Sequence, residues 1–141
     1  MSDKVFLDTN ILIYAYDASA RKKHVIAKDL MMQFWESGTG VISIQVLQEF
    51  FVVVTRKIPN PLDIQTAEDI VSDLLKWELV VCDGDSILGA IALLKKYHFS
   101  FWDALIIGAA LKANASFLYS EDLSHGQSIE SLTINNPFHS L

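Results

Sequence analysis

The sequence predicts an α/β protein, a three-layer α/β/α sandwich around a central, mainly parallel sheet of four to five strands. Short apolar runs alternate along the chain with longer segments in which apolar residues recur at helical spacing. Such alternation is typical of parallel strands joined by helices that cover both faces of the sheet. With 141 residues, 51% of them hydrophobic, the chain is expected to form a single domain over residues 1–141.

The strand ends matter most for function, because ligands bind in open α/β sheets at the carboxyl ends of the strands. The first strand is predicted at Val5-Phe6-Leu7 and stops at Asp8. Further strands are predicted over residues 40–44, 79–82 and 116–119, and a fifth is expected at the sheet edge over 132–134. The strand at 116–119 is followed closely by a second acid, Asp122.

Helices are expected to begin near residue 11 and to span residues 21–37, 45–57, 61–76, 87–97 and 101–113. The segment 45–57 also has strand propensity, and a helix is preferred there because parallel strands need a crossover connection. Pro61 is expected in the first turn of its helix. The segment 101–113 is apolar almost all round, which predicts a central helix.

Composition narrows the class of protein without settling its partner. The formal net charge of −6 opposes a nucleic-acid partner, unless a bound cation neutralises several of the acids locally. The lone cysteine, Cys82, ends an apolar run and is expected to be a small buried hydrophobe. The first residues lack the pattern of a signal peptide, and no apolar run approaches the roughly 20 residues of a membrane span. A cytoplasmic location is therefore expected.

Four acids stand out by their positions relative to the predicted elements. Asp8 and Asp122 follow two strands, and the carboxyl ends of parallel strands lie at the same edge of a sheet. Glu49 falls early in the helix after the second strand, and Asp103 falls in the first turn of the apolar helix. Each also has an ordinary explanation, as a turn residue, a helix cap or a solvated side chain, with Asp103 able to form a capping pair with Ser100.

Taken together, the four acids favour a metal site over four separate structural roles. Clustered carboxylates repel one another, and without a cation at least one would have a raised pKa. Oxygen ligands without supporting His or Cys indicate Mg²⁺ or Mn²⁺ rather than zinc. Such a site can activate water and stabilise charge that develops on a phosphodiester oxygen. The role of neighbouring Glu121 stays open, and His125 is expected in a surface turn.

Four motifs occur in an order and at a spacing that resemble the PIN-domain ribonucleases, and among them the VapC-type toxins of toxin–antitoxin pairs. The motifs are Val5-Phe6-Leu7-Asp8-Thr9-Asn10, Gln48-Glu49, Phe101-Trp102-Asp103-Ala104-Leu105-Ile106 and Leu118-Tyr119-Ser120-Glu121-Asp122-Leu123. A Gly126-Gln127 pair and an apolar strand follow, as in many members. The resemblance covers nearly the whole chain.

The resemblance implies an α/β/α sandwich that hydrolyses RNA phosphodiester bonds with one or two Mg²⁺ or Mn²⁺ ions. By position, the implied metal-binding and catalytic acids are Asp8, Glu49, Asp103 and Asp122. The residues implied to support these carboxylates or their bound waters are Thr9, Asn10 and Ser120. Members commonly form homodimers, and the toxins are held inactive by a small antitoxin protein that fills the active-site groove.

Two other classes of protein stay open at this point. A catalytically weak or silent PIN-like domain would bind RNA or protein and keep the fold without cutting RNA. A receiver-like signalling module would also place acids around Mg²⁺ at strand ends. It would be expected to carry adjacent acids on its first strand and a lysine on its last strand, and the sequence has neither.

Overall fold

A central six-stranded sheet organises the fold. A computed structural model describes residues 3–141. The strands are β1 (Val5–Leu7), β2 (Gly40–Ser43), β3 (Glu78–Val80), β4 (Phe117–Tyr119), β5 (Ser128–Ile129) and β6 (Leu132–Asn135). They lie in the order β3-β2-β1-β4-β6-β5, and each neighbouring pair is parallel except β5 with β6. The predicted α/β class and the mainly parallel sheet are confirmed.

One strand goes beyond the four to five that the sequence predicts. β5 contains two residues and pairs antiparallel with β6 across a tight turn at Glu130, whose φ is 55°. β5 therefore forms the sheet edge, and the expectation that residues 132–134 would lie there is wrong. A strand of two residues is too short to show an alternating pattern in the sequence.

The helices are α1 (Thr9–Ala15), α2 (Lys22–Ser37), α3 (Ile44–Arg56), α4 (Ile64–Leu74), α5 (Gly84–Lys96) and α6 (Phe101–Lys112). The preference for a helix over residues 45–57 is confirmed by α3. The Ser43 side chain caps α3 by accepting a hydrogen bond from the Val46 amide at 3.2 Å. Val46, Phe50 and Val54 then form one buried face of the helix.

The helices form two layers because the direction of the chain across the sheet reverses once. The chain steps from β1 to β2 to β3 and then returns past both strands to β4. Crossover connections between parallel strands are right-handed. The connections that run from β1 towards β3 therefore place α1 to α4 on one face of the sheet, and the connection that returns from β3 to β4 places α5 and α6 on the other. Helix α1 packs against α2 and α3, and α5 packs against α6.

The core lies on both sides of β1. Val5, Phe6 and Leu7 are all buried, which explains why this strand reads as a continuous apolar run. Helix α6 buries Ala104, Ile107 and several neighbours against the sheet, so the prediction of a central helix is confirmed.

Three details differ from the expectations drawn from the sequence. Pro61 lies before α4 and not within its first turn, because Asp63 caps the helix by accepting a hydrogen bond from the Thr66 amide at 2.7 Å. Cys82 is exposed instead of buried, because β3 ends at Val80 and the chain leaves the sheet there. Helix α5 begins at Gly84 and not near residue 87, and it buries Ala90 and Leu93.

Among the helices of residues 3–141, none has both the length and the apolar character needed to cross a bilayer. The expectation about a signal peptide rests partly on Met1 and Ser2, which lie outside the described residues.

Candidate active site

Asp8 lies at the point where the strand order reverses. It directly follows β1, and its amide donates a hydrogen bond to the Tyr119 carbonyl in β4 at 3.0 Å. The Asp8 side chain caps α1, with Oδ1 accepting from the Thr9 amide at 2.7 Å, and it is 7% exposed. Oδ2 accepts from the Ser120 hydroxyl at 2.8 Å, and Ser120 is fully buried. Two neighbouring parallel strands thus hold one carboxylate between their carboxyl ends.

The pKa of Asp8 is raised from 3.8 to about 6, mainly by burial. The hydrogen bonds from Ser120 and Thr9 favour the charged form and offset part of this effect. The negative charges of Asp122 and Asp103 raise the pKa further, which indicates that these three carboxylates share one electrostatic environment.

Asp122 lies just after β4, in the turn that follows Ser120. Its amide donates to the Ser120 hydroxyl at 3.2 Å, and its Oδ2 accepts from the Asn10 side-chain amide at 3.2 Å. Burial is the largest cause of its raised pKa, and the charges of Glu121, Asp103 and Glu49 add to it. Ser120 therefore connects the carboxylate of Asp8 to the backbone that carries Asp122.

Glu49 reaches the same region from the second turn of α3. Its Oε2 accepts from the Thr9 hydroxyl at 3.0 Å, and its Oε1 accepts from the Gln45 side-chain amide at 2.8 Å. Gln45 does not appear among the residues predicted from the sequence. Its position four residues before Glu49 on a helix is the signal that could have identified it.

Asp103 approaches from the other layer, in the first turn of α6. Its amide donates to the Ser100 hydroxyl at 3.1 Å, so the capping explanation is correct for its backbone. Its side chain nevertheless lines the same cleft as the other acids. The helix cap and the placement of the carboxylate are therefore compatible.

A small cleft of about 90 Å³ brings these side chains together. It is lined by six of the seven residues predicted from the sequence and by three others: Asp8, Thr9, Asn10, Glu49, Asp103 and Asp122, with Gln45, Trp102 and Ile106. The seventh predicted residue, Ser120, lies behind the cleft and contacts it through Asp8. Trp102 is exposed at this site. Among the larger cavities formed by residues 3–141, one lies between α5 and α6 and another lies beside the cleft.

The donor set fits a hard divalent cation. Four carboxylates converge without a His or Cys among the lining residues, and hard oxygen donors suit Mg²⁺ and Mn²⁺. Burial is the main cause of the raised pKa values of Asp8 and Asp122, and the uncompensated charges of the neighbouring carboxylates add to it. As these side chains are placed, no group of three or more His, Cys, Asp or Glu within residues 3–141 is positioned to hold a metal ion. The carboxylates of Asp8, Glu49 and Asp122 instead accept hydrogen bonds from neighbouring polar groups.

Glu121 and His125 are held outside the cleft. The Glu121 carboxylate accepts hydrogen bonds from the Tyr14 hydroxyl and from the Lys23 ammonium, the latter at 2.8 Å. His125 lies in an exposed turn, where its Nδ1 accepts from the Asn136 amide at 3.0 Å and its ring stacks on His139. Although both follow β4 closely in the chain, their side chains are engaged by other partners.

Comparison with known proteins adds a family and a set of similar folds. The family model of the PIN domain matches residues 5–126. A toxin–antitoxin complex from Klebsiella pneumoniae is similar to this chain, with a TM-score of 0.69 and 19% identity over 95% of this chain and 98% of the matched chain. No curated protein matches the chain.

Two further structures have the same fold. VapBC2 from Rickettsia felis, bound to a DNA fragment from its promoter, matches with a TM-score of 0.64 and 22% identity over 94% of this chain and 97% of the matched chain. The sarcin–ricin loop cleaving toxin VapC20 from Mycobacterium tuberculosis matches with a TM-score of 0.62 and 19% identity over 83% and 88% of the two chains. At these identities the likeness shows a shared fold.

Proposed function

This chain belongs to the PIN domain family, and we propose that it is a metal-dependent endoribonuclease that hydrolyses RNA phosphodiester bonds. The observation that carries the proposal is the convergence of four carboxylates, from two strand ends and two helices, on one cleft. Four separate structural roles would not require the acids to lie close enough for their charges to raise the pKa values of Asp8 and Asp122. The match to the PIN domain family over residues 5–126 argues against the alternative of a receiver-like signalling module.

In this proposal Asp8, Asp103 and Asp122 hold Mg²⁺ or Mn²⁺, and Glu49 either completes the set of ligands or orients the attacking water as a general base. When bound, such a cation activates water and stabilises negative charge on the phosphodiester oxygens. No nucleophilic side chain is needed.

Neighbouring polar residues hold three of the four carboxylates in place. Ser120 and the Thr9 amide fix both oxygens of Asp8, and the Thr9 hydroxyl and Gln45 fix the two oxygens of Glu49. Asn10 holds one oxygen of Asp122. Because these contacts are made within the protein, the acids are arranged before substrate binds, which lowers the cost of orienting them during the reaction.

We further propose that the chain is the toxin of a type II toxin–antitoxin pair. The support is the similarity of its fold to the toxin–antitoxin complexes from Klebsiella pneumoniae and Rickettsia felis. On this proposal a small antitoxin protein blocks the active-site groove, the toxin forms a homodimer, and both proteins act in the cytoplasm.

Cleavage of an RNA pool by the wild type and by Asp8→Asn tests the proposed activity. We expect Asp8→Asn to abolish cleavage in buffer containing Mg²⁺ or Mn²⁺, because the cleft loses one carboxylate charge while the helix cap is kept. Asp63→Asn is a matched control. Asp63 also caps a helix, and Asn is as good a cap as Asp, but Asp63 is exposed and lies away from the cleft.

The cleavage activities of the wild type and the two variants distinguish the possible outcomes. Unchanged cleavage by Asp8→Asn would exclude the assigned site. Equal losses in Asp8→Asn and Asp63→Asn would indicate a general effect of removing an acid, and not a specific role of the Asp8 carboxylate in the cleft. A folded wild-type protein that cuts no RNA with either metal would favour a catalytically silent PIN-like binding domain.

A further inference from the structure

A second, larger cavity continues from the acidic cleft. This groove has a volume of about 510 Å³ and lies between the end of α5, the loop before α6 and the loop after β4. Asp103 and Asp122 line both the cleft and the groove, so the two cavities meet at these carboxylates. Its volume lies in the range of sites that bind small ligands, roughly 300–1,000 Å³.

The lining of the groove differs in charge from the cleft. Lys96, at the end of α5, is the only lysine or arginine that lines the groove among residues 3–141. His98 and Gln127 add hydrogen-bonding groups. The groove therefore offers a cation and neutral polar groups next to the two carboxylates that it shares with the cleft.

The Lys96 ammonium makes contacts that a ligand can replace, and its partner Glu130 lies outside the lining of the groove. It lies 2.9 Å from Glu130 Oε1 and 5.5 Å from the centroid of the Tyr97 ring. The side chains of Lys96 and Glu130 are 62% and 44% exposed, so water screens their attraction and the pair contributes little to stability. A phosphate group can therefore exchange with Glu130 at little cost.

We propose that this groove binds the backbone of single-stranded RNA next to the phosphate that is cut, with Lys96 contacting a neighbouring phosphate. The inference rests on the proposed ribonuclease function and names a substrate contact outside the acidic cleft. A strand that enters the cleft brings phosphates close to Asp103 and Asp122, and Lys96 supplies the compensating positive charge where the strand leaves it. Glu130 then limits RNA affinity, because its carboxylate competes with phosphate for Lys96.

Binding of a short fluorescein-labelled single-stranded RNA, followed by fluorescence anisotropy over a series of salt concentrations, tests this contact. The measurements use the full chain carrying Asp8→Asn, so that binding is separated from cleavage. We expect Lys96→Gln to raise the Kd by roughly threefold to tenfold and to lower the slope of log Kd against log salt by about 0.7, the contribution of one single-strand phosphate contact. Glu130→Gln is expected to tighten binding.

Lys95→Gln is the matched control. Lys95 precedes Lys96 on α5, carries the same charge and is exposed, but it lies outside the part of the described chain that lines the groove. We expect it to leave both the Kd and the salt slope close to those of the parent. In the background that retains Asp8, Lys96→Gln should raise the KM for RNA cleavage and change kcat little, since Lys96 does not touch the reacting phosphate.

The outcomes separate this inference from the proposed activity. A wild-type protein that cuts RNA while Lys96→Gln and Lys95→Gln bind equally would overturn the groove assignment alone. A wild-type protein that cuts no RNA, but whose RNA binding still depends on Lys96, would overturn the ribonuclease proposal and support the groove. Weaker binding after Glu130→Gln, or no RNA binding by any variant, would also overturn the groove assignment.

Discussion

At the scale of single residues, Asp8 destabilises the folded protein when it is ionised. Its pKa is about 6 in the folded state, mainly because of burial, against 3.8 as the ordinary value. Between these two pH values the folded state holds a proton that the unfolded state has lost, so the free energy of unfolding falls as the pH rises. A difference of about 2 pKa units corresponds to ~3 kcal/mol, an order-of-magnitude figure.

We therefore predict that the wild type, freed of divalent cations, loses stability as the pH rises from about 4 to above 6. Asp8→Asn removes the ionisation but keeps a side chain that can cap α1. Its stability should depend less on pH and should equal or exceed that of the wild type near pH 7. Urea unfolding of both proteins across this range measures the difference, and parallel pH profiles would contradict the role assigned to burial.

The positions of individual side chains in the site differ in how well the sequence predicts them. Asp8 and Asp122 could be brought together from the sequence, because each follows a strand of a parallel sheet. Gln45 was missed although its spacing from Glu49 is helical. The pairing of Glu121 with Lys23 and Tyr14 was beyond prediction, since it depends on how α1 and α2 pack beside the turn after β4.

At the scale of elements, β2 begins at a glycine because an aromatic ring lies against it. A Cβ atom at Gly40 would lie 2.4 Å from Cζ3 of Trp77, the residue that precedes β3. Trp77 is itself held by edge-to-face contacts with Trp35 and Phe34 from α2. The Trp77 ring therefore has little freedom to move away. The pairing of β2 with β3 depends on the absence of a side chain at Gly40.

We predict that Gly40→Ala lowers the free energy of unfolding by about 1–3 kcal/mol, the usual effect of adding volume to a well-packed site. Gly89→Ala, in α5, is the contrasting variant. Among residues 3–141, no heavy atom outside the two chain neighbours and the nearby backbone of α5 lies within 4 Å of a Cβ atom placed at Gly89. Ala also favours a helix by up to about 1 kcal/mol over Gly. Equal stability of the two variants in urea unfolding would show that the contact with Trp77 is easily relieved.

Element boundaries were predictable where a local interaction sets them. Gly38, with a φ of 69°, ends α2 at the position that the sequence indicates. The predicted start of α4 at Pro61 is wrong, because Asp63 caps the helix and this cap overrides the general preference of proline for a first helical turn. The exposure of Cys82 could not be predicted from an apolar run, since that run continues past the last residue of β3 that pairs with β2.

At the scale of the whole molecule, the site exists because the chain reverses its direction across the sheet between β3 and β4. This reversal leaves β1 and β4 as neighbours and creates a crevice at their carboxyl ends, where open α/β sheets bind ligands. The fold class and the shared sheet edge follow from the alternation of strands and helices. The groove that contains Lys96 does not follow from that pattern, because it requires the end of α5 to lie beside the loop after β4.

The repulsion among the acids predicts that divalent cations stabilise the whole protein. A cation that binds the folded state alone adds RT ln(1 + [L]/Kd) to the free energy of unfolding, about 2.7 kcal/mol at a hundred times the Kd. For a domain of this size, each kcal/mol corresponds to a rise in Tm of roughly 2–4 °C. We therefore expect the Tm of the wild type to rise with Mg²⁺ or Mn²⁺ until the site is saturated.

The same titration of Asp8→Asn and Asp63→Asn determines whether the cleft is responsible. Asp8→Asn should lose most of the rise, because the buried carboxylate that gains most from a nearby cation is gone. Asp63→Asn should keep it, since Asp63 is an exposed cap away from the cleft. If all three proteins responded equally, the cation would act on the general negative surface of a chain with a net charge of −6 and not on the four converging carboxylates.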